Sequence, residues 1–394
     1  MHAPVPYSKP RPPVVSSPLV RDDVALSSID PPAWDALAPS LPLLSHAYLS
    51  ALHATGCAAP ETGWQPRYLT AWNGAELIGA MPLYAKAHSY GEYVFDWGWA
   101  DAYRRYGRRY YPKLVAAVPF TPVPGPRLLA PAAATRRALL VRALDRMAHG
   151  YSSLHVLFTD AAQSHELSTA GMLMRDGVQF HWRNEGYRDF ADFLAAFNHE
   201  KRKKIRQERR RLAERGVSFV RKCGTDIDAA DRAFFFECYE RTYRAHHSTP
   251  YLTLDFFDAI AETLGQNLLL VVGYRNGQRL CAALDVFNAD TLWGRYWGTR
   301  EYVPGLHFEA CYYQAIEFCI ERGIASFEGG AQGVHKLARG LLPTPTHSAH
   351  AIADRAFAAA IAEYCARERT DVAHSIDELE AGSPFRASSP ARVG

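Results

Sequence analysis

The stretch QNLLLVVGYRNGQRLCAALDVFNADTLWGRYWG (266–298) decides the fold, together with the residues that follow it. It predicts three strands, of which the first two are joined by an Asn-Gly turn at Asn276–Gly277, the strongest short signal for a β-hairpin. HFEACYYQAIEFCIERG (307–323) has helical spacing and ends on a glycine, which commonly terminates a helix. IASFEGG (324–330) predicts the next strand, so this part of the chain predicts a mixed α/β unit.

The first half of the chain shows the same order of elements. PRYLTAWNGAELIGAMPLYAK (66–86) predicts two strands around another Asn-Gly turn. TRRALLVRALDRMAHG (135–150) has the spacing of an amphipathic helix, and SSLHVLFTD (152–160) that of a buried strand. Each half therefore contains an Asn-Gly hairpin ahead of a strand–helix–strand unit.

Length supports two units, because a single hydrophobic core stops growing at roughly 250–300 residues and this chain has 394. The repeat predicts two modules at 21–180 and 181–375. The proline-rich start predicts a disordered tail at 1–20, and the Ser/Pro/Arg-rich end predicts a frayed tail at 376–394.

Composition excludes several classes of protein. Hydrophobic residues make up 48% of the chain, which excludes a mostly disordered protein, and a net charge of +3 argues against a surface that binds nucleic acid all over. No apolar run reaches the ~18–20 residues of a membrane span, and the N-terminus lacks a signal-peptide core, so a cytoplasmic location is expected. Seven scattered cysteines without a CxxC pair argue against a disulfide scaffold or a zinc finger.

Four separated segments carry a resemblance to a known family. They are HSYGEYVFDWGWADAY (88–103), YYPKLVAAVPFTPVPGPRLL (110–129), LHFEACYYQAIEFCIERG (306–323) and FEGGAQGVHKLARG (327–340). Together they resemble the bacterial FemAB-like predicted N-acyltransferases of the "peptidoglycan biosynthesis/recognition" type, over roughly residues 20–370. The resemblance implies two tandem GNAT-like modules, with mixed sheets flanked by helices, and acyltransferase activity (EC class 2.3).

The chain departs from these families at two places. Members of the FemAB-like family carry an acidic residue after GAQG, where this chain has Val334. GNAT modules hold the diphosphate of acyl-CoA on a glycine-rich turn before a helix, but this chain offers only Pro304–Gly305 there. The missing glycine-rich run keeps a second donor open, an aminoacyl-tRNA.

The segment FEGGAQGVHKLARG is the densest group of polar residues and the first candidate site. Acyl transfer to an amine needs a base for the amine proton and donors for the developing oxyanion. Glu328 or His335 could be the base, while two glycines allow a close backbone approach to the acyl donor. A glycine-rich loop with a solvated basic turn is the alternative interpretation. The residues predicted to contact substrate or donor here are Gln332, Lys336, Arg339, Gly329 and Gly330.

His307 and Glu309 are further catalytic candidates, because they follow Gly305 at a predicted helix start. Helix N-termini bind phosphate or carboxylate, so Gly305 is predicted to contact the donor. The alternative is a helix cap with a surface ion pair. His307 and Glu309 with the distant His335 could also ligate zinc, but HxE recurs by chance and no metal is predicted.

Two aromatic segments are predicted to bind the acceptor. Asp96, Trp97, Asp101 and Tyr103 place rings beside carboxylates, which suits a sugar, an amine or a peptide. An aromatic core strand and a capped helix form the alternative. In the later strand Arg295, Tyr296 and Trp297 alternate, so Arg295 and Trp297 are expected to share one face toward the cleft between the modules.

The run KRKKIRQERRRLAER (201–215) is strongly basic, but Glu208 and Glu214 interrupt it. At i,i+4 spacing many of these charges pair along an exposed helix. The other interpretation is a helix that contacts the phosphates of tRNA or of an anionic lipid-linked substrate, which the FemAB-like resemblance favours.

These observations predict an N-acyltransferase that moves an acyl group from acetyl-CoA or another acyl-CoA to a small-molecule or cell-wall-precursor amine. No covalent enzyme intermediate is implied, and the chain has no GxSxG motif of a serine hydrolase. One alternative is aminoacyl transfer from tRNA to a peptidoglycan precursor. The other is a GNAT-shaped module that binds a ligand without catalysis.

Overall fold

A mixed sheet of eleven strands runs through both halves of the chain in the computed structural model, which describes residues 18–38, 41–331 and 333–386. The strands in chain order are β1 (Leu19–Arg21), β2 (Trp64–Pro66), β3 (Leu69–Asn73), β4 (Glu76–Met81), β5 (Leu83–Lys86), β6 (Lys113–Ala116), β7 (Ser153–Thr159), β8 (Leu173–Arg183), β9 (Val217–Cys223), β10 (Leu268–Arg275), β11 (Gln278–Phe287), β12 (Thr291–Thr299), β13 (Ser326–Ala331) and β14 (Leu342–Ile352).

Helices cover both faces of the sheet. They are α1 (Pro31–Asp35), α2 (His46–Ala54), α3 (Trp97–Arg105), α4 (Ala133–Ala148), α5 (Ala161–Thr169), α6 (Phe190–Ala196), α7 (His199–Glu214), α8 (Ala229–Ala245), α9 (Leu254–Leu264), α10 (Leu306–Phe308), α11 (Gln314–Arg322) and α12 (Arg355–Ala381). A π-helical turn, Glu309–Tyr313, joins α10 to α11, so these three pieces form one helix with a bulge. Within the described ranges, no helix combines the length and the apolar composition that a bilayer crossing requires.

The large sheet has the order β2-β5-β6-β7-β14-β8-β13-β12-β11-β10-β9, and β1, β3 and β4 form a separate small sheet. In the first half β5 and β6 are antiparallel, β6 and β7 parallel, and β7 and β14 antiparallel. In the second half β11 and β12, β12 and β13, and β13 and β8 repeat that pattern. This repeat confirms the α/β class and two GNAT-like modules in tandem.

The two halves exchange their last strands at the centre of the sheet. β8 precedes the second half in the chain but pairs with β13, whereas β14 ends the second half but pairs with β7. β8 and β14 also pair with each other over nine residues. The boundary predicted at 180/181 therefore falls inside β8, and neither module is complete without the other.

Apolar packing also joins the halves. Tyr48 of α2 packs edge to face on Phe256 of α9, with ring centroids 5.5 Å apart, and both belong to one buried cluster that contains residues of both halves. A second cluster lies under α6, α7 and α11 in the second half.

Within the described part of the chain, secondary structure or packing extends into both segments that were predicted to be tails. Residues 19–21 form β1, which pairs with β3, and residues 1–17 of the expected tail lie outside the described residues. α12 continues to Ala381, and Phe385 packs against Phe197 with centroids 4.8 Å apart. The frayed end therefore does not begin at residue 376, because Phe385 anchors the chain in the second core.

Candidate active site

The site is centred on the place where two parallel strands part. β12 and β13 pair only from Thr291 to Trp293 and from Ser326 to Glu328. Beyond these residues β12 remains paired with β11, and β13 remains next to β8. Glu328 therefore stands at the fork between the two strands, in the middle of the sheet rather than at the strand end that the sequence predicted.

A row of three side chains crosses the sheet at this fork. Glu328 lies opposite Trp293 on one side and opposite His181 of β8 on the other. Directly opposed residues point to the same face of a sheet, with Cβ atoms about 5 Å apart. Sequence reasoning missed His181, because the predicted boundary between the modules, 180/181, falls beside it. The sequence does contain a signal for the strand that carries His181, the alternating pattern GVQFHWR (177–183).

One carboxylate oxygen of Glu328 has no partner and lies in a shielded position. Its Oε2 atom is closed off from solvent and has no hydrogen-bond partner. Burial raises its pKa from 4.5 to about 8, against the smaller opposite effects of the Trp293 indole and of the Arg295 charge. A general base is most effective when its pKa lies near the working pH, so this carboxyl is suited to take a proton.

His181 is buried beside Glu328 and is electrically neutral. Burial, together with the charges of Arg183 and Lys336, lowers its pKa to about 4. Its Nε2 lies 3.1 Å from Gln179 Oε1, and Gln179 in turn donates to the Pro122 carbonyl of the first half at 2.7 Å. The row at the fork is thereby joined to the first half by hydrogen bonds.

A β-bulge at Arg295 overturns the predicted orientation of this strand. Leu284 pairs with Tyr296 and Asp285 with Gly294, so Arg295 is an extra residue in β12. Arg295 lies over the Tyr296 ring, with 5.1 Å from the guanidinium carbon to the ring centroid, while Trp297 packs with the opposite cluster. The prediction that Arg295 and Trp297 share a face was wrong, because a bulge shifts the alternation by one residue.

Arg295 reaches across to the first half. Its Nη2 donates to the Phe120 carbonyl at 2.8 Å, and its charge interacts with the hydroxyl groups of Tyr48 and Tyr93. Arg295 Nε and the Tyr296 hydroxyl have no hydrogen-bond partner in the described structure. The charge of Arg295 acts on the Glu328 carboxyl group, so the unpartnered Nε of Arg295 belongs to the same polar region as the unpartnered oxygen of Glu328.

His307 and His335 come together at the start of α10. Their ring centroids lie 6.0 Å apart, and His307 packs 4.5 Å from the Trp297 ring. Burial lowers the pKa of His307 to about 4, so its imidazole is neutral. His335 is exposed, and its Nε2 lies 3.3 Å from the Tyr312 hydroxyl.

The two cations predicted to hold phosphate or carboxylate are buried and engaged. Lys336 Nζ donates to the Gly330 carbonyl at 3.0 Å, and burial lowers its pKa to about 8. Arg339 binds Glu208 of α7 at 3.0 Å and lies 3.7 Å from the Phe308 ring centroid. Neither side chain is displayed to solvent as the predicted basic turn requires, because α7 covers Arg339.

Local backbone conformation or packing explains why glycine occupies each of the predicted glycine positions that the structure describes. Gly305 precedes α10 with a φ of 88°, and Gly330 has a φ of 74°, which other residues rarely adopt. A Cβ atom on Gly329 would lie 2.6 Å from Leu341 Cδ2. Gly329 thus leaves room for the Leu341 side chain, and Gln332 lies outside the described residues.

Glu309 is part of an ion-pair network and does not face His307. Arg209 of α7 binds its carboxylate with Nε and Nη2, at 3.0 and 2.8 Å, and Gln314 donates a third hydrogen bond at 2.8 Å. The predicted catalytic role for Glu309 is therefore not supported. The partner comes from a residue one hundred positions earlier, which local spacing could not show.

The predicted acceptor residues of the first half do not form one site. Asp96 is buried against Lys113 and Tyr110, and Tyr103 stacks on Phe357 with centroids 3.9 Å apart. Asp101 pairs with exposed arginines on the other face of α3, where Trp97 also lies. Helical spacing places residues 97 and 101 on one side and 99 and 103 on the other, which separates the group.

Comparison with solved structures shows the same fold in other proteins. FemX is 13% identical, with 82% of this chain and 96% of that chain covered and a TM-score of 0.52. A conserved protein of unknown function from Bacteroides thetaiotaomicron VPI-5482 is 10% identical, with 84% and 98% covered and a TM-score of 0.52. A tandem GNAT protein from the clavulanic acid biosynthesis pathway is 12% identical, with 82% and 92% covered and a TM-score of 0.41.

Sequence comparison gives a family. Curated protein sequences contain no match to the chain. The FemAB-like family profile, described as peptidoglycan biosynthesis/recognition, matches residues 25–387, which is nearly all of the chain. The protein belongs to the FemAB-like family.

Proposed function

We propose that this protein transfers an acyl or aminoacyl group to an amine, with Glu328 as the general base. The observation that carries the proposal is the unpartnered, shielded carboxylate oxygen of Glu328 at the fork of β12 and β13. Because burial raises its pKa to about 8, the group changes protonation close to neutral pH. A base with that property can accept the proton of an attacking ammonium or amine.

The reaction is one displacement at a carbonyl carbon. The amine nitrogen attacks the acyl carbon, the C–N bond forms, and the nitrogen gives a proton to Glu328. The bond from the acyl carbon to the leaving sulfur or oxygen then breaks, and the leaving group takes up a proton. Glu328 returns its proton to solvent, so no group of the chain is consumed.

Arg295 and Tyr296 are proposed to hold a polar substrate near Glu328. Arg295 Nε and the Tyr296 hydroxyl are donors without partners, and burial makes unpaired polar groups costly. A carboxylate or carbonyl oxygen of the substrate would satisfy both. The family description supports a peptidoglycan precursor as the acceptor, since such precursors are amines that carry carboxylates.

Acyl-CoA is the first proposed donor. Gly305 and the imidazoles of His307 and His335 support it, because they line the turn before α10 where the donor would be held. A bound acyl-CoA would supply the activated thioester, while this chain supplies the base and the acceptor contacts.

Aminoacyl-tRNA is the second proposed donor, and the outer face of α7 favours it. His199, Arg202, Lys203, Arg206 and Arg210 line a shallow cavity of about 350 Å³ on this helix. Their positive charges fit a polyanion, and phosphate contacts dominate the affinity of proteins for nucleic acids. The inner face of the same helix uses Glu208 and Arg209 for internal ion pairs.

The proposed base is tested by turnover of Glu328→Gln, which keeps the shape of the side chain and cannot take the proton. We expect turnover to fall by at least about 10²-fold, a usual scale for an acid–base group. Glu363→Gln, on the exposed face of α12, is the matched control and should keep wild-type turnover. Near-normal turnover of Glu328→Gln would reject this residue as the base.

The donor is tested by thermal-shift titration with acetyl-CoA and with CoA. A ligand at 100 times its Kd adds about 2.7 kcal/mol to the free energy of unfolding, which is a shift of several degrees. A saturable shift supports acyl-CoA. No shift at millimolar ligand, with loss of tRNA-dependent turnover in Arg202→Glu/Lys203→Glu/Arg206→Glu, supports the tRNA donor. Ligand binding without any turnover in the wild type would instead indicate a binding protein.

A further inference from the structure

The segment from Ser89 to Tyr106 is folded with its polar side chains inward. Lys113 Nζ lies at the centre of this arrangement, and it donates to Glu92 Oε2 at 2.7 Å, to Ser89 Oγ at 2.8 Å and to Asp96. Tyr110 adds a hydrogen bond from its hydroxyl to Asp96 at 2.5 Å. All five side chains are buried. Breaking such a buried pair leaves an uncompensated charge, so the segment is held in this orientation.

The aromatic side chains of the same segment face outward. Tyr90 is 56% exposed, Phe95 53%, Trp97 41% and Tyr106 78%. Four of the ten exposed large hydrophobic side chains of the described structure thus come from one short segment. Single exposed apolar residues are ordinary, but a group of them marks an interaction surface.

Arginines lie beside these rings. Arg104, Arg105, Arg108 and Arg109 are all exposed, and Asp101 pairs with the first two. Among the described residues, no carboxylate lies within 4.0 Å of Arg108 or Arg109, so the surface carries excess positive charge. Spacing of four residues places position 97 on the same face of α3 as 101 and 105.

We propose that the aromatic–arginine face, defined as Tyr90, Phe95, Trp97 and the arginines of 104–109, docks on a bilayer of anionic lipids. Trp and Tyr rings settle at the boundary between headgroups and acyl chains, and arginines are attracted to anionic headgroups. A bilayer of anionic lipids therefore matches both the positive charge of this face and its exposed aromatic rings. This proposal does not rest on the proposed reaction, since vesicle binding is measured without turnover.

The packing of the rings favours lipid over single-stranded RNA. Tyr90 and Trp97 pack edge to face, with centroids 4.9 Å apart and an interplanar angle of 61°. His88 and Tyr90 do the same at 5.3 Å and 67°. Bases stack on open ring faces, which these contacts partly cover, whereas shallow insertion into the bilayer boundary needs no free ring face.

Docking of this face would bring the proposed site close to the bilayer. Tyr93 belongs to the same segment and turns toward the sheet, where its hydroxyl lies near Arg295 and Tyr296. Gly91 of this segment also packs against Phe120, whose carbonyl accepts the Arg295 hydrogen bond. An acceptor anchored in the bilayer could therefore reach the fork of β12 and β13 beside this segment.

The test is co-sedimentation of the full-length chain with two kinds of vesicle, phosphatidylcholine alone and phosphatidylcholine mixed with phosphatidylglycerol. We expect binding only to the mixed vesicles, with about a tenfold or greater loss of affinity in Arg108→Glu/Arg109→Glu. Phe95→Ser/Trp97→Ser should lose a similar factor, because it removes the inserting rings. Both variants alter exposed side chains, and unchanged thermal unfolding would verify that they fold.

Arg241→Glu/Arg244→Glu on α8 is the matched control, because it makes the same change of charge on another exposed surface. We expect this variant to bind mixed vesicles as the wild type does. An equal loss in the control, or no binding by the wild type, would overturn the proposal. Binding of a single-stranded RNA oligonucleotide that depends on Phe95 and Trp97, in place of vesicle binding, would overturn it too.

Discussion

At the scale of single residues, Glu328 shows how a sheet can prepare a base. Glu328 holds the last paired position before the two parallel strands part, and its Oε2 atom is buried there without a hydrogen-bond partner. Burial then disfavours its charged form, and its pKa rises to about 8. The group can accept a proton near neutral pH, but its burial lowers the free energy of unfolding of the protein.

That cost predicts a pH-dependent gain of stability in Glu328→Gln. In the wild type the folded state keeps the proton from the unfolded pKa of 4.5 to about 8, whereas the unfolded chain releases it. The folded state binds more protons there, so the free energy of unfolding falls as pH rises through this window and levels off above it. The variant lacks this titration.

Thermal melts at about pH 5 and about pH 9 measure the effect. We expect Glu328→Gln to be more stable than the wild type at the higher pH, with a much smaller difference at the lower. A difference that is the same at both pH values would show that the carboxyl group is not held protonated by the fold.

Lys113 gives a second prediction at this scale. Lys113→Met leaves Glu92 and Asp96 buried without their cation, which should cost about 3–5 kcal/mol of unfolding free energy. Adding Glu92→Gln and Asp96→Asn should restore part of that loss, because the uncompensated charges are gone. Denaturant unfolding measures both, with the exposed Lys203→Met as the control. A single variant as stable as the wild type would contradict the account of this cluster.

The sequence predicts residues of this kind only where their context is local. Glu328 and His335 stood out in the polar segment FEGGAQGVHKLARG, and His307 because of a helix start. Sequence reasoning missed His181 and Arg209, because their partners lie one hundred residues or more away along the chain. Cross-strand and helix–helix neighbours become visible only once the register of the sheet is known.

At the scale of elements, the charged side chains of α7 have different surroundings on the two faces of the helix. Arg209 faces the core, bound to Glu309 and Glu317, while Ile205 and Leu212 are buried on the same side. Spacings of four and three residues place these side chains along one stripe. The outer stripe is exposed and basic. Of the charge pairing along the helix that the sequence predicts, the described residues show Arg210 with Glu214, and phosphate contact by the outer stripe stays a prediction.

The two faces should respond differently to mutation. Arg209→Ala leaves the buried Glu309 carboxylate without its cation, and we expect a loss of about 2 kcal/mol of unfolding free energy. Arg210→Ala, in the neighbouring exposed position, should change it by less than about 0.5 kcal/mol. Denaturant unfolding of the two variants gives the comparison. Equal effects would contradict the assignment of the faces.

The Asn-Gly turns show what local patterns can predict. Asn276 and Gly277 both have positive φ and form the two-residue turn that was expected. In the first half the ladder closes at Asn73 and Glu76, so the turn is Gly74–Ala75, one residue later than predicted. The bulge at Arg295 had no such signal, because it depends on how β12 pairs with β11.

At the scale of the whole molecule, the exchanged strands make the two modules one folding unit. β8 completes the sheet of the second half, and β14 completes that of the first. The repeated order of helices and strands could be predicted from the sequence. The exchange could not, because β8 and β14 have no local feature that shows which half they join.

This arrangement predicts that the modules cannot fold alone. A fragment of residues 1–180 ends inside β8 and lacks β14, so it should be insoluble or unfolded by circular dichroism. Fragments 1–186 and 187–394, cut in the loop after β8, keep every strand between them and should co-purify when expressed together. A folded, monomeric 1–180 fragment would contradict the exchange.

The most direct test of the central claim is the pH dependence of kcat/KM for the wild-type enzyme, measured with acceptor and donor in hand, from about pH 6 to about pH 10. The proposed role of Glu328 as the base predicts that kcat/KM rises with pH and levels off, with an apparent pKa near 8 that is absent from the residual activity of Glu328→Gln. A profile that is flat across this range, or the same rise in Glu328→Gln, would contradict the assignment of the base.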